Sequence, residues 1–255
     1  MKRLNLLLVC TMLLAACGAC VPLAGGETIA TCRKLVDGLA ALKGGMTIPE
    51  YFLTDNPVKK GGEFDVMQYF AVLDHLSLQP GYRLDYVYHY DGMGGYPVLY
   101  AYPAGQPPFT TESDLVAGGG AKDYLDYVQV DDTPEGYFQF ALLSLTGNQF
   151  YLDWHANYND GQVVCDRAGV ADIIASLDGS FGQRMPAAAQ VRAKLLSNLE
   201  SSILLGHQTV EVRLVTFTKW GGFFQKTYTI SRSAPYTIKS VQDKNLVPYN
   251  CGVMF

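Results

Sequence analysis

Residues 82–102 read YRLDYVYHYDGMGGYPVLYAY, and this stretch decides the fold. From Tyr82 to Tyr90 the even positions are Tyr82, Leu84, Tyr86, Tyr88 and Tyr90, and the odd ones are Arg83, Asp85, Val87 and His89. A period of two marks a strand with one face turned to a core. Asp91 to Gly95 supplies glycine-rich turn chemistry, and the alternation resumes with Tyr96, Val98, Tyr100 and Tyr102. A five-residue loop would set Tyr90 opposite Tyr96 and Tyr86 opposite Tyr100, with all those rings on one sheet face.

Upstream, Thr28 caps a helix in which Ile29, Cys32, Leu35, Val36, Leu39 and Leu42 recur at helical spacing before Gly44-Gly45. Thr47-Ile48-Pro49-Glu50 has the spacing of a capping box with proline in the first turn, so a short helical turn opens there. Val66, Phe70, Leu73 and Ser77 predict a second helix over Glu63 to Leu78, stopped by Pro80-Gly81. Residues 103–122, with Pro103, Pro107, Pro108 and Gly118-Gly119-Gly120, read as a long loop. Further on, Tyr137 to Leu145 and Gln149 to Asn157 flank Gly147-Asn148, a favoured hairpin turn. Asp166 caps a helix with Val170, Ile173, Ile174 and Leu177 on one stripe. Pro186 opens another, with Val191, Leu195, Leu199 and Ser202/Ile203 inward and Gly206 at its end. A last hairpin joins Thr209–Thr218 to Phe223–Arg232 through Lys219-Trp220-Gly221-Gly222. Strands and helices come in blocks without strict alternation. That predicts an α+β fold, mainly antiparallel sheet built from hairpins, with several helices packed on it.

Ahead of this body, Lys2 and Arg3 precede an apolar run from Leu6 to Ala16, which ends Leu14-Ala15-Ala16-Cys17. A basic start, a short apolar core and small residues before a cut are the parts of an export leader. The run falls short of the roughly 20 residues a spanning helix needs. This leader resembles the signal peptide of a bacterial lipoprotein, with Cys17 as the lipobox cysteine. The resemblance covers the leader alone. It implies cleavage before Cys17, a diacylglycerol thioether on that cysteine, and a fatty acid such as palmitate on its new amino group. Two or more chains at one site give stable anchoring. Gly18 stands where enteric lipoproteins carry an inner-membrane retention aspartate, which implies the outer membrane in a host with two. The expected organisation is a signal peptide over 1–16, a lipidated tether over 17–26 and one α+β domain over 27–255.

The chain holds 19 Lys+Arg and 24 Asp+Glu, and loss of Lys2 and Arg3 leaves the exported body more acidic. It has no basic stripe, so nucleic acid is not an expected partner. The expected partners are the membrane, through the N-terminal lipid, and an envelope protein or glycan. At 49% hydrophobic and 17% charged the composition is globular. Of six cysteines, Cys10 leaves with the leader and Cys17 is lipidated. Cys20, Cys32, Cys165 and Cys251 remain, and an even number in an exported chain predicts two disulfides. Three pairings are open, and proximity favours Cys20–Cys32 with Cys165–Cys251. No CxxC pair accompanies neighbouring histidines, so no metal site is expected. Gly118-Gly119-Gly120-Ala121-Lys122 lacks phosphate-loop spacing, and no cofactor is expected.

Three features are candidate sites. On the expected strand Gln149–Asn157, Tyr151, Asp153, His155 and Asn157 share one face. The expected turn sets Asp153 opposite Leu142 and His155 opposite Phe140, placing an acid and an imidazole at the rim of an apolar surface. Asp153 would then orient His155 as a base, although a plain solvent face has the same pattern. No GxSxG or HExxH supplies a nucleophile or a zinc site. A periplasmic hydrolase-like enzyme using His155 and Asp153, with a divalent ion at Asp160, is therefore the alternative to a non-enzymatic binding or structural module. The second feature is the set of rings at Tyr86, Tyr88, Tyr100 and Tyr151. Flat rings suit a sugar or a partner surface, and they equally suit the inner face of an amphipathic sheet or the roof of a cavity for a small apolar ligand. The third is Trp220 at a hairpin tip, followed by Phe223 and Phe224.

Overall fold

The computed structural model describes residues 26–119, 123–178 and 182–254. The first elements are β1 (Glu27–Thr28), α1 (Cys32–Lys43), α2 (Tyr69–Val72) and β2 (Leu76–Leu78). The hairpin β3 (Tyr82–Tyr90) and β4 (Gly94–Pro103) follows, then α3 (Glu112–Ala117), β5 (Val128–Val130) and α4 (Pro134–Thr146). Next come β6 (Asp153–Trp154), β7 (Gln162–Val164), α5 (Arg167–Ser176) and α6 (Ala187–Lys194). The chain closes with β8 (Ser202–Leu205), β9 (Thr209–Thr218), β10 (Gly222–Ser231) and β11 (Ile238–Pro248). Short 3-10 turns lie at Glu50–Phe52 and His155–Tyr158, among others.

The largest sheet has the order β1-β8-β9-β10-β11, antiparallel throughout, and β7 joins it on β9. β7 and β8 share one edge of β9 end to end: Val164 pairs with Val215, and Ile203 pairs with Val212. A second sheet is the β3–β4 hairpin extended by β6, and β2 pairs with β5. The fold is α+β and mainly antiparallel sheet, as the blocks of strands and helices predict.

Helix α4 is the centre of the packing. Thr133 caps it by accepting the Gly136 N–H at 3.0 Å, Pro134 occupies its first turn, and Glu135 meets the positive end of the dipole. Every residue from Gly136 to Leu143 is buried, so the helix is enclosed on all sides. One core cluster joins its Tyr137, Phe138, Phe140 and Leu142 to Leu35 and Leu39 of α1, Leu84, Tyr86 and Tyr88 of β3, and Val210, Val212 and Leu214 of β9. A second cluster lies on the other face of the large sheet, where α5 and α6 cover Val215, Phe217, Phe223 and Val247. β9 records this double use. Its first half alternates buried and exposed, and from Leu214 to Phe217 it is buried continuously because helices lie on both faces.

Several expectations are corrected here. The hairpin over 137–157 does not form: its first half is α4, and only Asp153–Trp154 of its second half is strand. An apolar run such as Tyr137–Leu143 has no periodicity to separate a buried strand from a buried helix. The Thr133-Pro134-Glu135 start was the deciding signal. The helix over 63–78 shrinks to a 3-10 turn at Val66–Gln68 and to α2, and Leu76–Leu78 pairs with β5 instead. Buried Gln139 imposes the break, accepting the His75 N–H at 2.8 Å and donating to Asp74 Oδ1 at 3.0 Å. α3, capped by Thr111, occupies part of the expected loop over 103–122. α6 turns Ala189 and Ala193 inward, leaves Val191 and Leu195 exposed, and ends before Ser202 and Ile203, which belong to β8.

The tyrosine hairpin forms with its register shifted by one. Tyr90 pairs with Gly95, Tyr86 with Leu99, and Tyr100 with Asp85. The Asp91 carboxylate accepts the N–H groups of Met93 and Gly94 at 2.8 and 2.9 Å, and this tight turn makes the connection one residue shorter. A one-residue slip sends every β4 side chain to the opposite face. Tyr86 and Tyr88 therefore enter the α4 core, while Tyr100 and Tyr102 join Val87 and Leu115 in a separate small cluster.

Cysteine pairing is also corrected. Cys32 bonds Cys165 across a sequence separation of 133, with Cα atoms 5.7 Å apart. Cys251 is a buried free thiol, and Cys17 and Cys20 lie outside the described residues. The favoured pairings Cys20–Cys32 and Cys165–Cys251 are thereby excluded. Cys32 on α1 and Cys165, just ahead of α5, are buried in the same core cluster as α4, and that packing overrides proximity in sequence. The next residues along reinforce the bridge: Arg33 grips Asp166 through Nε at 3.2 Å and Nη2 at 2.5 Å, and Asp166 also caps α5 through the Gly169 N–H.

Replacing Cys32 and Cys165 by Ala is expected to cost about 2–5 kcal/mol, read as a lower urea midpoint. An unchanged midpoint would contradict the pairing. The Arg33 hydrogen bond, with the Gly169 N–H, holds the Asp166 carboxyl below the usual range. Its stabilisation is complete above the unfolded value of about 3.9 and fades as pH falls through the lower folded one. Asp166→Asn should therefore flatten the acid limb of the stability–pH curve.

Candidate functional site

The same sheet face that covers α4 continues beyond it. Lys226 pairs with Asp243 and Tyr228 with Val241, so these four side chains share that face on β10 and β11. Most of β11 is exposed, from Lys239 to Asn245. Opposite stand Ser144 and Leu145 at the end of α4, then Asn148, Leu152 and Asn159 on the segment that follows. Between these walls lies an open cleft of about 750 Å³.

Its chemistry is mixed. Tyr96 and Tyr228 contribute rings, and Ser144, Asn148 and Asn159 contribute hydroxyl and amide groups. Asn159 Nδ2 donates to Asn148 Oδ1 at 3.0 Å, which fixes both amides. Lys226 Nζ and Asp243 Oδ2 form an ion pair at 2.7 Å across the strands. Burial, with the nearby Glu112 and Asp91 carboxylates, raises the Tyr96 phenol above its ordinary value and keeps it neutral. Rings, paired amides and a balanced ion pair suit a neutral polyhydroxylated ligand that stacks and exchanges hydrogen bonds.

The wall segment also carries exposed rings. Trp154 is 54% exposed and Tyr158 44%. Ring centroids run from Trp154 to His155 at 6.0 Å, to Tyr158 at 6.3 Å and to Trp220 at 4.7 Å. Trp154 has φ 41° and ψ −114°, and Tyr151 has φ 50°. Non-glycine residues avoid that region unless their surroundings hold them there. Here the restraint is visible. Tyr88 Oη donates to the Tyr151 carbonyl at 2.6 Å, and β6 pairs with Gly94 and Gly95. A Cβ on Gly95 would lie 2.5 Å from Tyr88 Oη, so only glycine admits that phenol.

Asp153 and His155 flank Trp154 on this segment, on β6 and at the start of the 3-10 turn. Among the described residues no hydrogen bond or ion pair joins them, and the His155 ring contacts Trp154 and Tyr158. Asp160 accepts the Thr218 hydroxyl and the Lys219 N–H, binding the segment to the tip of the β9–β10 hairpin. Burial raises its pKa, against the pull of those hydrogen bonds. No group of three or more His, Cys, Asp or Glu among the described residues is placed to hold a metal ion. Tyr86, Tyr88 and Tyr100 are core residues, Tyr151 is half-buried with its hydroxyl 3.4 Å from the Phe64 N–H, and half-buried Trp220 donates to the Val253 carbonyl at 2.9 Å. Sequence reasoning missed Asn148, Asn159, Lys226, Tyr228 and Asp243. The Lys226/Tyr228 alternation was readable, but β11 was not anticipated. No protein-family model matches the chain, and comparison with curated proteins and with solved structures likewise found no match.

Trp154→Gly removes a large exposed ring and also relieves the positive φ. The expected result is equal or greater thermal stability, by up to about 1 kcal/mol. A clear loss of stability would show that the ring supports the fold.

Proposed function

We propose that the chain is a lipid-anchored protein on the extracytoplasmic face of a bacterial envelope, a non-enzymatic module whose cleft binds a glycan. The observation that carries the binding reading is the open cleft itself, with the Tyr96 and Tyr228 rings and the joined Asn148–Asn159 amides in its lining. The lipobox leader ending at Cys17 supports the address. The Cys32–Cys165 bridge supports it as well, because disulfides persist in oxidising compartments. No helix among the described residues is long and apolar enough to cross a membrane, and the proposed attachment is the lipid on Cys17.

Sheet order supports a separation of the cleft from the tether. The tether leads into β1 at one edge of the large sheet, and the cleft is lined from β10 and β11 at the other. Strand spacing separates those edges by roughly 15–20 Å, which sets the cleft apart from the point where the tether enters the domain. Hydrolysis by Asp153 and His155 has less support, since no hydrogen bond joins the two among the described residues and neither lines the cleft.

Two measurements test this reading. In detergent phase separation the wild-type protein should enter the detergent phase and Cys17→Ser the aqueous phase, and equal partition removes the anchor. Titration with amino-sugar oligosaccharides should give a saturable change in tryptophan fluorescence. Tyr228→Ala and Asn159→Ala should each weaken binding about tenfold, near 1.4 kcal/mol. A saturable response to peptides and to no oligosaccharide would overturn the glycan assignment.

A further inference from the structure

A second pocket, of about 310 Å³, lies between α1, α5 and the end of α4, away from the cleft. Its apolar wall includes Leu39, Leu142, Val163 and Ile173. Lys43, the last residue of α1, is half-buried in this lining. Its amine donates to the Thr146 carbonyl at 3.1 Å, and Thr146 is the last residue of α4. The negative end of that helix dipole makes the cation tolerable. Among the described residues no carboxylate pairs with it. Arg33, Asp37 and Asp172 also line the pocket, and Arg33 is committed to Asp166 and Asp172. The two cations and two anions of the lining balance, so the pocket favours neither an anionic nor a cationic guest.

A primary amine withdrawn from water, held by one carbonyl and facing apolar walls, is poised as a nucleophile. Burial brings its pKa down to about 8. We infer that this pocket receives a small apolar aldehyde or ketone and holds it reversibly as an imine of Lys43. The amine lone pair attacks the carbonyl carbon, forming the C–N bond as the C=O π pair moves to oxygen. One amine proton passes to that oxygen. The resulting hydroxyl then leaves with the second amine proton as water while the C=N bond forms. The exchange is redox-neutral, and its products are the imine and one water.

The test is reductive trapping on the intact protein at pH 7, with hexanal and cyanoborohydride followed by peptide mapping. A pKa near 8 leaves about two hundredfold more neutral amine at pH 7 than an ordinary lysine, with its value of about 10.4. Partly reduced nucleophilicity still leaves Lys43 at least about tenfold faster than any other lysine. Its rate should saturate with hexanal, whereas the other lysines should respond linearly. Lys43→Arg keeps the charge and should abolish the saturable component. Ala40→Phe, at an exposed helical position that lines the pocket, should block trapping at Lys43 with an unchanged circular dichroism spectrum. Trapping of Lys43 at the rate of the other lysines, a linear dependence on hexanal, or full trapping in a folded Ala40→Phe protein would each overturn the inference.

Discussion

A helix without a polar side must be surrounded, and α4 imposes that demand on the rest of the chain. Two sheets and α1 meet it. The large sheet offers the even residues of β9, and the tyrosine hairpin offers Leu84, Tyr86 and Tyr88. Each fully buried Phe or Leu contributes roughly 1.5–3 kcal/mol relative to exposure, so the enclosure of α4 outweighs any single surface contact. Its carboxyl end is finished by side chains. Tyr124 donates to the Leu143 carbonyl at 3.2 Å, Lys43 to that of Thr146 at 3.1 Å and Tyr69 to that of Gly147 at 2.8 Å. The last two satisfy carbonyls that a helix end leaves open, and the first adds a second bond to a carbonyl that already accepts the Gly147 N–H. Burial raises the Tyr69 and Tyr124 pKa values, so both phenols stay protonated and donating.

The cleft inherits its order from this arrangement. The chain leaves α4 at a point fixed on several sides and enters the 151–159 segment, which Tyr88 and β4 hold in place. Asp160 then fastens it to the tip of the β9–β10 hairpin. The tyrosine row thus works from below: its rings fill the core, and one of its hydroxyls positions the exposed surface. A binding wall with fixed backbone loses little entropy when a ligand arrives.

The α+β class was legible because alternation at β3, β4, β9 and β10 survives in the sequence as period two. α1 and α5 were legible from their stripes, and Asp166 caps α5 where expected, whereas Thr28, the expected cap of α1, lies in β1 and the helix starts after Thr31 with no side-chain cap. Other elements were hidden by physics that a linear pattern does not carry. α4 is apolar all round, so its period vanishes. The break after α2 depends on Gln139, which lies far along the chain. The β3–β4 register turned on one residue in the Asp91 turn, and that residue decided which face carried Tyr100. The expected face of Asp153 and His155 rested on a hairpin that α4 replaces. The cleft itself required β11, whose exposed polar run gave no strand signal.

The Cys32–Cys165 bridge has a consequence for the order of events at birth. Synthesis runs from the amino terminus, so the thiol of Cys32 appears long before its mate. Cys20 and Cys32 are near neighbours, and they meet first wherever oxidants act on a growing polypeptide. The mature link then requires either that Cys32 stay reduced until Cys165 arrives or that a premature bond be opened by thiolate exchange. A bond between cysteines 133 residues apart thus depends on the timing of oxidation in a way that a bond between sequence neighbours does not.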